Sequence, residues 1–496
     1  MPAAAATHRI RLFVSRTSLR QAANASLFWG ALLAVCVVAG LLTIAAGDFG
    51  SQRPVFLLAV PMLLILGFTF VLAPKALIVG ILLLRACLDP VFDLGKLPGI
   101  GGLGGMVNLA IILLAFTLVV RDPKRVPREA WWIWLPFMFF QLFGLAYAPD
   151  VVPALRQFLG LLATMSVFLI AFHLVTDWAS FDRALKVIVA SSVPVTIYTL
   201  VGIARGDAYM VLDGLEGTSS RYRGPFPHPN ILAFYVVLVM GVLLYQWKTL
   251  RTKTSGWTAA LIMGYLLVLL LLLFATKTRS AWVSAAFLFF VYGLLVERRF
   301  LLYLALVPAF VMFVPEVRDR ILDLGQGNQV VQNAKLNSFA WRKLIWSDGL
   351  AWMSPSRYLV GYGSGSFLFY SPTFFTASFG RPFGAHSVPV QQIFELGIGG
   401  LITFLLMFWK STAMLRRMWQ IDRLMVVIFG GVVWSYLLIS FSDNMLAYLS
   451  FNWYFWLAVG AVCSMAALGL SQKGSPASAA EPPQRFRSRY SPGRSK

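Results

Sequence analysis

The chain has 496 residues, of which 58% are hydrophobic and 12% charged, with a mean hydropathy of +0.74. Soluble domains carry about a quarter charged residues, which excludes an ordinary soluble globule; an aromatic share of 15% and only three cysteines exclude a disordered chain and a disulfide scaffold. The net charge of +22, from 42 Lys and Arg against 20 Asp and Glu, is first explained by the basic cytoplasmic loops of a membrane protein and only then by nucleic acid.

The basic first 26 residues precede a long apolar run, a pattern that predicts a retained signal anchor. Apolar spans are expected at 27–46, 54–73, 75–88, 103–120, 130–148, 153–175, 184–203, 230–247, 257–275, 280–296, 300–314, 389–409, 424–442 and 451–470. The third is short and carries Arg85. Cys36, Cys87 and Cys463 fall inside apolar runs and read as small core residues. Continuous apolar runs favour helices over barrel strands, because backbone polar groups in lipid must be satisfied internally. The expected fold is an all-α polytopic membrane protein with about 12–14 transmembrane helices. Its organisation reads as a basic N-terminus (1–26), a first helical bundle (27–314), a loop domain (315–388), C-terminal helices (389–470) and a disordered basic tail (471–496).

Alternating spans from a cytoplasmic N-terminus places both termini inside and makes every inside connection basic, among them Arg121–Arg128, Lys248–Lys253, Arg298–Arg299 and Arg416–Arg423. Most of the positive residues left outside fall in three segments. Segment 204–229 carries Arg205, Arg221 and Arg223, and 276–279 carries Lys277 and Arg279. Segment 315–388 carries seven more, including Arg342. The last is too long for a structureless loop, so a small ordered cap is expected, partly helical around 333–352. Within spans the reading finds few charges, Arg85 and Arg156.

Three outer stretches stand apart. In Arg221-Tyr-Arg-Gly-Pro-Phe-Pro-His-Pro-Asn230 the prolines prevent helix until Asn230, a natural N-cap, and set two arginines and His228 at the surface. The tight Thr276–Ser280 hairpin fixes Arg279 near the hydrocarbon boundary, where an unpaired charge is costly. Gly361, Gly363 and Gly365 would let the backbone approach a ligand closely, and Gly384-Ala-His-Ser387 opens the next span. Each has a plainer reading: snorkelling arginines, a simple turn, a packed His228 or His386, a capping Asp443-Asn444. Joint placement on one face changes the balance. Guanidinium binds phosphate bidentately without losing its charge, and a neutral His at pH 7 can take a proton from a hydroxyl. No cluster has metal-ligand spacing.

Over roughly 220–450 the chain resembles the O-antigen ligase and polymerase superfamily. The resemblance lies in the order of Gly224-Pro-Phe-Pro-His-Pro-Asn230, Thr278-Arg-Ser-Ala281, Arg342…Trp346 and Gly361-Tyr-Gly-Ser-Gly365. These are followed by His386-Ser-Val-Pro-Val-Gln-Gln-Ile-Phe-Glu-Leu-Gly-Ile-Gly-Gly400 and Ser442-Asp-Asn444. Family members often carry Asn after the His, where this chain has Ser387. The resemblance implies a bacterial inner-membrane glycosyltransferase whose site faces the periplasm or exterior. It implies an undecaprenyl-diphosphate-linked glycan donor, a glycan or lipid acceptor, no metal or other cofactor, and no nucleic acid. Arg221, Arg223 and Arg279 would hold the diphosphate and His386 would activate the acceptor. His228, Asn230, Arg342, Gly361, Gly363 and Gly365 would supply further contacts. The alternative is a transporter or flippase of lipid-linked saccharides, which predicts ionisable groups and broken helices in mid-membrane.

Overall fold

A computed structural model describes residues 67–94, 102–213, 217–250, 256–311, 318 and 339–473. The expected span 27–46, most of 54–73, the basic N-terminus and the tail from 474 lie outside the described residues. The chain divides into two compact units, 1–81 and 82–496. The described part of the first is 67–81, helical at 67–72 and again from Pro74.

In chain order the helices are α1 (Pro74–Leu84), α2 (Asp89–Leu94), α3 (Gly102–Arg121), α4 (Arg128–Ala146), α5 (Val151–Leu174) and α6 (Trp178–Arg205). A hairpin of β1 (Tyr209–Asp213) and β2 (Gly217–Arg221) follows, then α7 (Pro229–Leu250), α8 (Gly256–Ala275), α9 (Arg279–Leu295) and α10 (Arg299–Val311). Next come α11 (Ala340–Trp352), α12 (Arg357–Val360), α13 (Ser366–Phe374), α14 (Val388–Arg416), α15 (Arg423–Ser440) and α16 (Leu449–Lys473). Among the described residues, eight helices are long and apolar enough to cross a membrane. The chain is a polytopic, essentially all-α membrane protein.

The antiparallel hairpin, with Tyr209 opposite Arg221, has no counterpart among the elements the sequence predicts. Where a span of 75–88 is expected, helix stops at Leu84. Arg85 pairs with Asp89 and lies over the rings of Phe92 and Trp453, 5.0 and 5.4 Å from their centroids. An arginine held this way ends the apolar run.

Helix starts follow their caps. Asp177 and Ser180 form a reciprocal capping box on α6, and Asp150 and Asp422 accept backbone N–H groups from the first turns of α5 and α15. In 18-residue windows α7 and α16 are 94% and 89% buried, whereas α3 and α8 are 22% and 17% buried. The first pair is therefore the centre of the bundle and the second its lipid-facing periphery, where Leu109, Phe116, Leu267 and Leu271 are exposed. Close approach, more than solvent exclusion, holds helices together in lipid. At Gly460 of α16 a Cβ would stand 2.7 Å from the Phe168 carbonyl oxygen and 2.8 Å from the Ala171 Cβ of α5, so only glycine allows this packing.

The connections the sequence assigns to opposite sides fall at opposite ends of the bundle. At one end Tyr245 Oη donates to Asp422 (2.7 Å), Lys248 pairs with Glu297, Arg417 pairs with Glu129, and Arg423 donates to the Leu295 carbonyl (3.0 Å). At the other meet the β-hairpin, the starts of α7, α9 and α14, and the α15–α16 turn.

A cap of α11, α12 and α13 covers that second end, built on Trp341, Ile345, Trp346, Phe367, Phe374 and Phe375. Its core also takes in Val390 and Phe394 of α14. Helix α14 breaks at Gly397 (φ 71°, ψ −171°), separating two turns in the cap from the remainder in the bundle.

Candidate active site

The second end of the bundle gathers polar side chains around one buried carboxylate. Asp443, in the α15–α16 turn, is fully buried. Its Oδ2 accepts from Asn230 Nδ2 (2.8 Å) and Ser280 Oγ (3.4 Å), and its Oδ1 accepts from Tyr448 Oη and the Asn444 backbone N–H (2.9 Å). Four neutral donors offset the cost of burying the charge. Burial, with the Asp443 charge next, holds the Tyr448 hydroxyl well above its ordinary pKa, so it stays a donor.

Asn230 completes the link. Its amide also donates to Tyr448 Oη (3.2 Å), and its Oδ1 accepts from Thr278 Oγ1 (3.3 Å). The sequence reading made Asn230 the N-cap of α7. The structure gives that place to His228, whose Nδ1 accepts the Asn230 backbone N–H (3.1 Å). Proline is favoured at the first helical position, here 229, which makes His228 the cap, and the Asn230 side chain faces Asp443 instead. The His228 ring is stacked 13° from that of Tyr448.

His386 enters from the cap. It holds φ 47°, in the left-handed region, a conformation that costs a non-glycine residue about 1–3 kcal/mol. Neighbours fix it there. The Ala385 carbonyl accepts from Trp346 Nε1 (2.6 Å), Trp341 stands edge-on to the imidazole at 5.4 Å, and Ser387 caps α14 by accepting from the Val390 N–H (3.4 Å). Ser387, the departure from the family pattern, thus has the capping work that Asn can also perform. Burial pushes the His386 pKa down to about 4; the Arg342 and His228 charges push the same way and Asp443 opposes them. The imidazole is neutral at pH 7. Arg342 donates to the Ser442 carbonyl (2.8 Å), tying α11 of the cap to the Asp443 turn.

Arg279 begins α9 half-buried, between Thr278 and Ser280, whose side chains both reach the Asn230–Asp443 pair. Lys277 takes φ 50°, which makes the hairpin tight. Arg221 is buried, its Nε donating to Ser219 Oγ (2.8 Å), and Arg223 lies 4.1 Å over the Tyr209 ring. The Tyr222 N–H, between them, donates to the Ala275 carbonyl (3.3 Å) and pins this strand to the α8–α9 hairpin. All the arginines singled out therefore belong to elements of one end.

The glycine run is placed differently. Gly361 and Gly363 hold φ of 72° and 96°, and what approaches them is the protein's own backbone. A Cβ on Gly361 would lie 2.3 Å from the Glu395 carbonyl, and one on Gly363 2.5 Å from the Tyr147 carbonyl oxygen. The Tyr362 and Gly363 N–H groups donate to the Phe394 and Glu395 carbonyls (2.9 and 2.8 Å), which the break in α14 leaves without helical partners. Gly365 alone faces open space.

The sequence offers Asp443 only as a capping or pairing residue within the Ser442-Asp-Asn444 stretch, and it does not single out Tyr448 or, among charges within spans, Glu395. It sits inside the expected 389–409, buried, with Gln391 Nε2 donating to its carboxylate (3.0 Å). The available signal was an acidic residue inside or at the end of an apolar run.

Residues 264–405 match the family model for O-antigen ligase. The match covers Arg279, Arg342, Gly361–Gly365 and His386; Arg221, Arg223, His228, Asn230 and Asp443 lie outside it. No curated protein matches the chain.

Proposed function

We propose that this member of the O-antigen ligase and polymerase superfamily transfers a glycan from an undecaprenyl-diphosphate-linked donor to a hydroxyl acceptor, at the bundle end that carries His386 and Asp443. That end faces away from the cytoplasm, in the inner membrane of a bacterium. The acceptor hydroxyl attacks the anomeric carbon, its proton passes to the neutral His386, and undecaprenyl diphosphate departs. Arg279, with Arg221 and Arg223 on the adjoining hairpin, binds the diphosphate and stabilises the charge that grows on it. Arg342 holds the cap over the sugar.

One observation carries the reading: a strained, neutral histidine is held beside an arginine at the membrane end where Arg279 starts its helix. A base with a pKa near 4 is a weak one. Much of that depression comes from burial, but Arg342 and His228 add to it, and a bound diphosphate would offset their effect. Proton acceptance is then favoured when donor is present. The test is glycan transfer in membranes carrying His386→Ala, Arg279→Ala or Arg279→Lys at normal expression. All three should lose most activity, the lysine because it cannot form the bidentate pair. Wild-type transfer by either alanine variant would sink the assignment.

The transporter reading gains one observation, the buried Glu395 beside the break at Gly397. Against it, the carbonyls at the break are already satisfied by Tyr362 and Gly363, which suits a structural splice better than an ion site. Purified protein that moves a lipid-linked glycan between leaflets without changing its covalent attachment would decide for transport.

A further inference from the structure

Far from Asp443, at the opposite end of the bundle, a cavity of about 670 Å³ lies between α9, the last turn of α14, and α15. That volume is of the order ligand sites have. Its walls are apolar, with Val291 and Leu295 of α9 facing Val427 and Trp434 of α15. Gly430 and Gly431 form part of the same wall, and a Cβ on Gly430 would meet nothing within 4 Å, so the missing side chain is itself part of the space. Leu295 and Trp434 are 38% and 40% exposed, and the cavity therefore opens sideways, where lipid tails lie.

The mouth is different. Arg416, Trp419 and Gln420 line it, at the end of a membrane-crossing helix. Three arginines stand at this corner and two are occupied. Arg417 pairs with Glu129, and Arg423 donates to the Leu295 carbonyl with its guanidinium over Trp419. Arg416 has no carboxylate partner among the described residues. An apolar trough open to lipid, closed at headgroup depth by the Arg416 guanidinium and the Trp419 indole, complements one kind of molecule. A soluble ligand would find few polar partners inside, and another protein helix would leave Arg416 unpaired.

We propose that the cavity holds one anionic phospholipid, with acyl chain against Gly430 and Gly431 and phosphate on Arg416. Basic pockets between helices at the cytoplasmic side are where such headgroups bind. The site is independent of the glycan reading, yet it touches the same helices. In mid-bundle α9 and α15 meet directly, where a Cβ on Gly431 would stand 2.9 Å from Leu288. At one end of that interface Ser280 meets Asp443 (3.4 Å), and at the other Arg423 reaches the Leu295 carbonyl (3.0 Å) beside the cavity. The phospholipid fills the half of the interface that side chains leave open.

The test is native mass spectrometry of the full chain in mild detergent, titrated with dioleoyl phosphatidylglycerol or dioleoyl phosphatidylcholine. Wild type should bind one phosphatidylglycerol in preference to phosphatidylcholine. Arg416→Ala should weaken phosphatidylglycerol about fivefold, the effect of one interfacial charge, and remove the preference. Gly430→Leu, which fills the space and favours helix, should abolish binding while size-exclusion profiles stay unchanged. Equal retention of both lipids by wild type, or undiminished phosphatidylglycerol in both variants, would overturn the proposal. So would a dimer that excludes lipid and dissociates in Gly430→Leu.

Discussion

Replacing Asp443 separates the shape of the buried cluster from its charge. In Asp443→Ala the donors on Asn230, Ser280 and Tyr448 lose their common acceptor, and each buried donor left unsatisfied costs about 1–3 kcal/mol. Tyr448 Oη still accepts from Asn230, which spares part of that, so a loss of about 3–5 kcal/mol is expected. Asp443→Asn is milder. Its new NH₂ would face the Asn230 NH₂, but a flip of Asn230 turns its carbonyl towards residue 443 and its NH₂ towards Thr278 Oγ1, which can accept. What is lost is the charged character of the bonds, about 1–2 kcal/mol. The exchange Asn230→Asp with Asp443→Asn restores one carboxylate facing one amide and should recover about 1 kcal/mol over the sum of the single changes. Melting temperatures in one detergent check this, with wild type above Asp443→Asn and Asp443→Asn above Asp443→Ala, and the exchange compared with the sum of its two single changes. If Asp443→Asn melts as low as Asp443→Ala, the flip is wrong and the charge itself holds the cluster.

The acid limb of transfer activity should lie well below the ordinary histidine range, because His386 titrates near 4. Arg342→Gln removes one depressing charge, so the limb should move up in pH, and rates measured from pH 4 to 7 check the direction. Stability follows the same group with a definite sign. A histidine depressed from 6.5 to about 4 gives a contribution that is complete above 6.5 and is lost as pH falls towards 4, visible as a falling melting temperature that flattens in His386→Gln. Gly361→Ala combines a positive φ with a 2.3 Å approach to the Glu395 backbone, so it should cost about 3 kcal/mol or more and show as loss of monodisperse protein on size exclusion.

What the sequence reveals here depends on distance along the chain. The long apolar runs from α3 to α16 and the ordered cap helix Ala340–Trp352 are legible because hydropathy and loop length act locally. The β-hairpin is not, since its pairing leaves no signature in a segment read for charge. The glycine run illustrates a subtler limit: residues that allow close approach do not say what approaches, and here it is the backbone of Glu395 at Gly361 and of Tyr147 at Gly363. His228 and Asn230 stood out, but their division of work did not. The Asn230 side chain finds its partner in Asp443, 213 residues away. Glu395 and Asp443 show the same thing from the other side, as polar residues whose partners are assembled only by tertiary contact.

The break in α14 has a practical corollary for anyone wishing to handle the outer lobe alone. Phe394 and Val390 are part of that lobe's interior, although they belong to the first turns of a membrane helix. A soluble fragment cut at residue 388 would lose two pieces of its own core and uncover the rings of Phe367, Phe374 and Trp352, whose centroids lie within 5.9 Å of that of Phe394. Such a fragment should aggregate, and one carried through to Leu396 has its missing interior back.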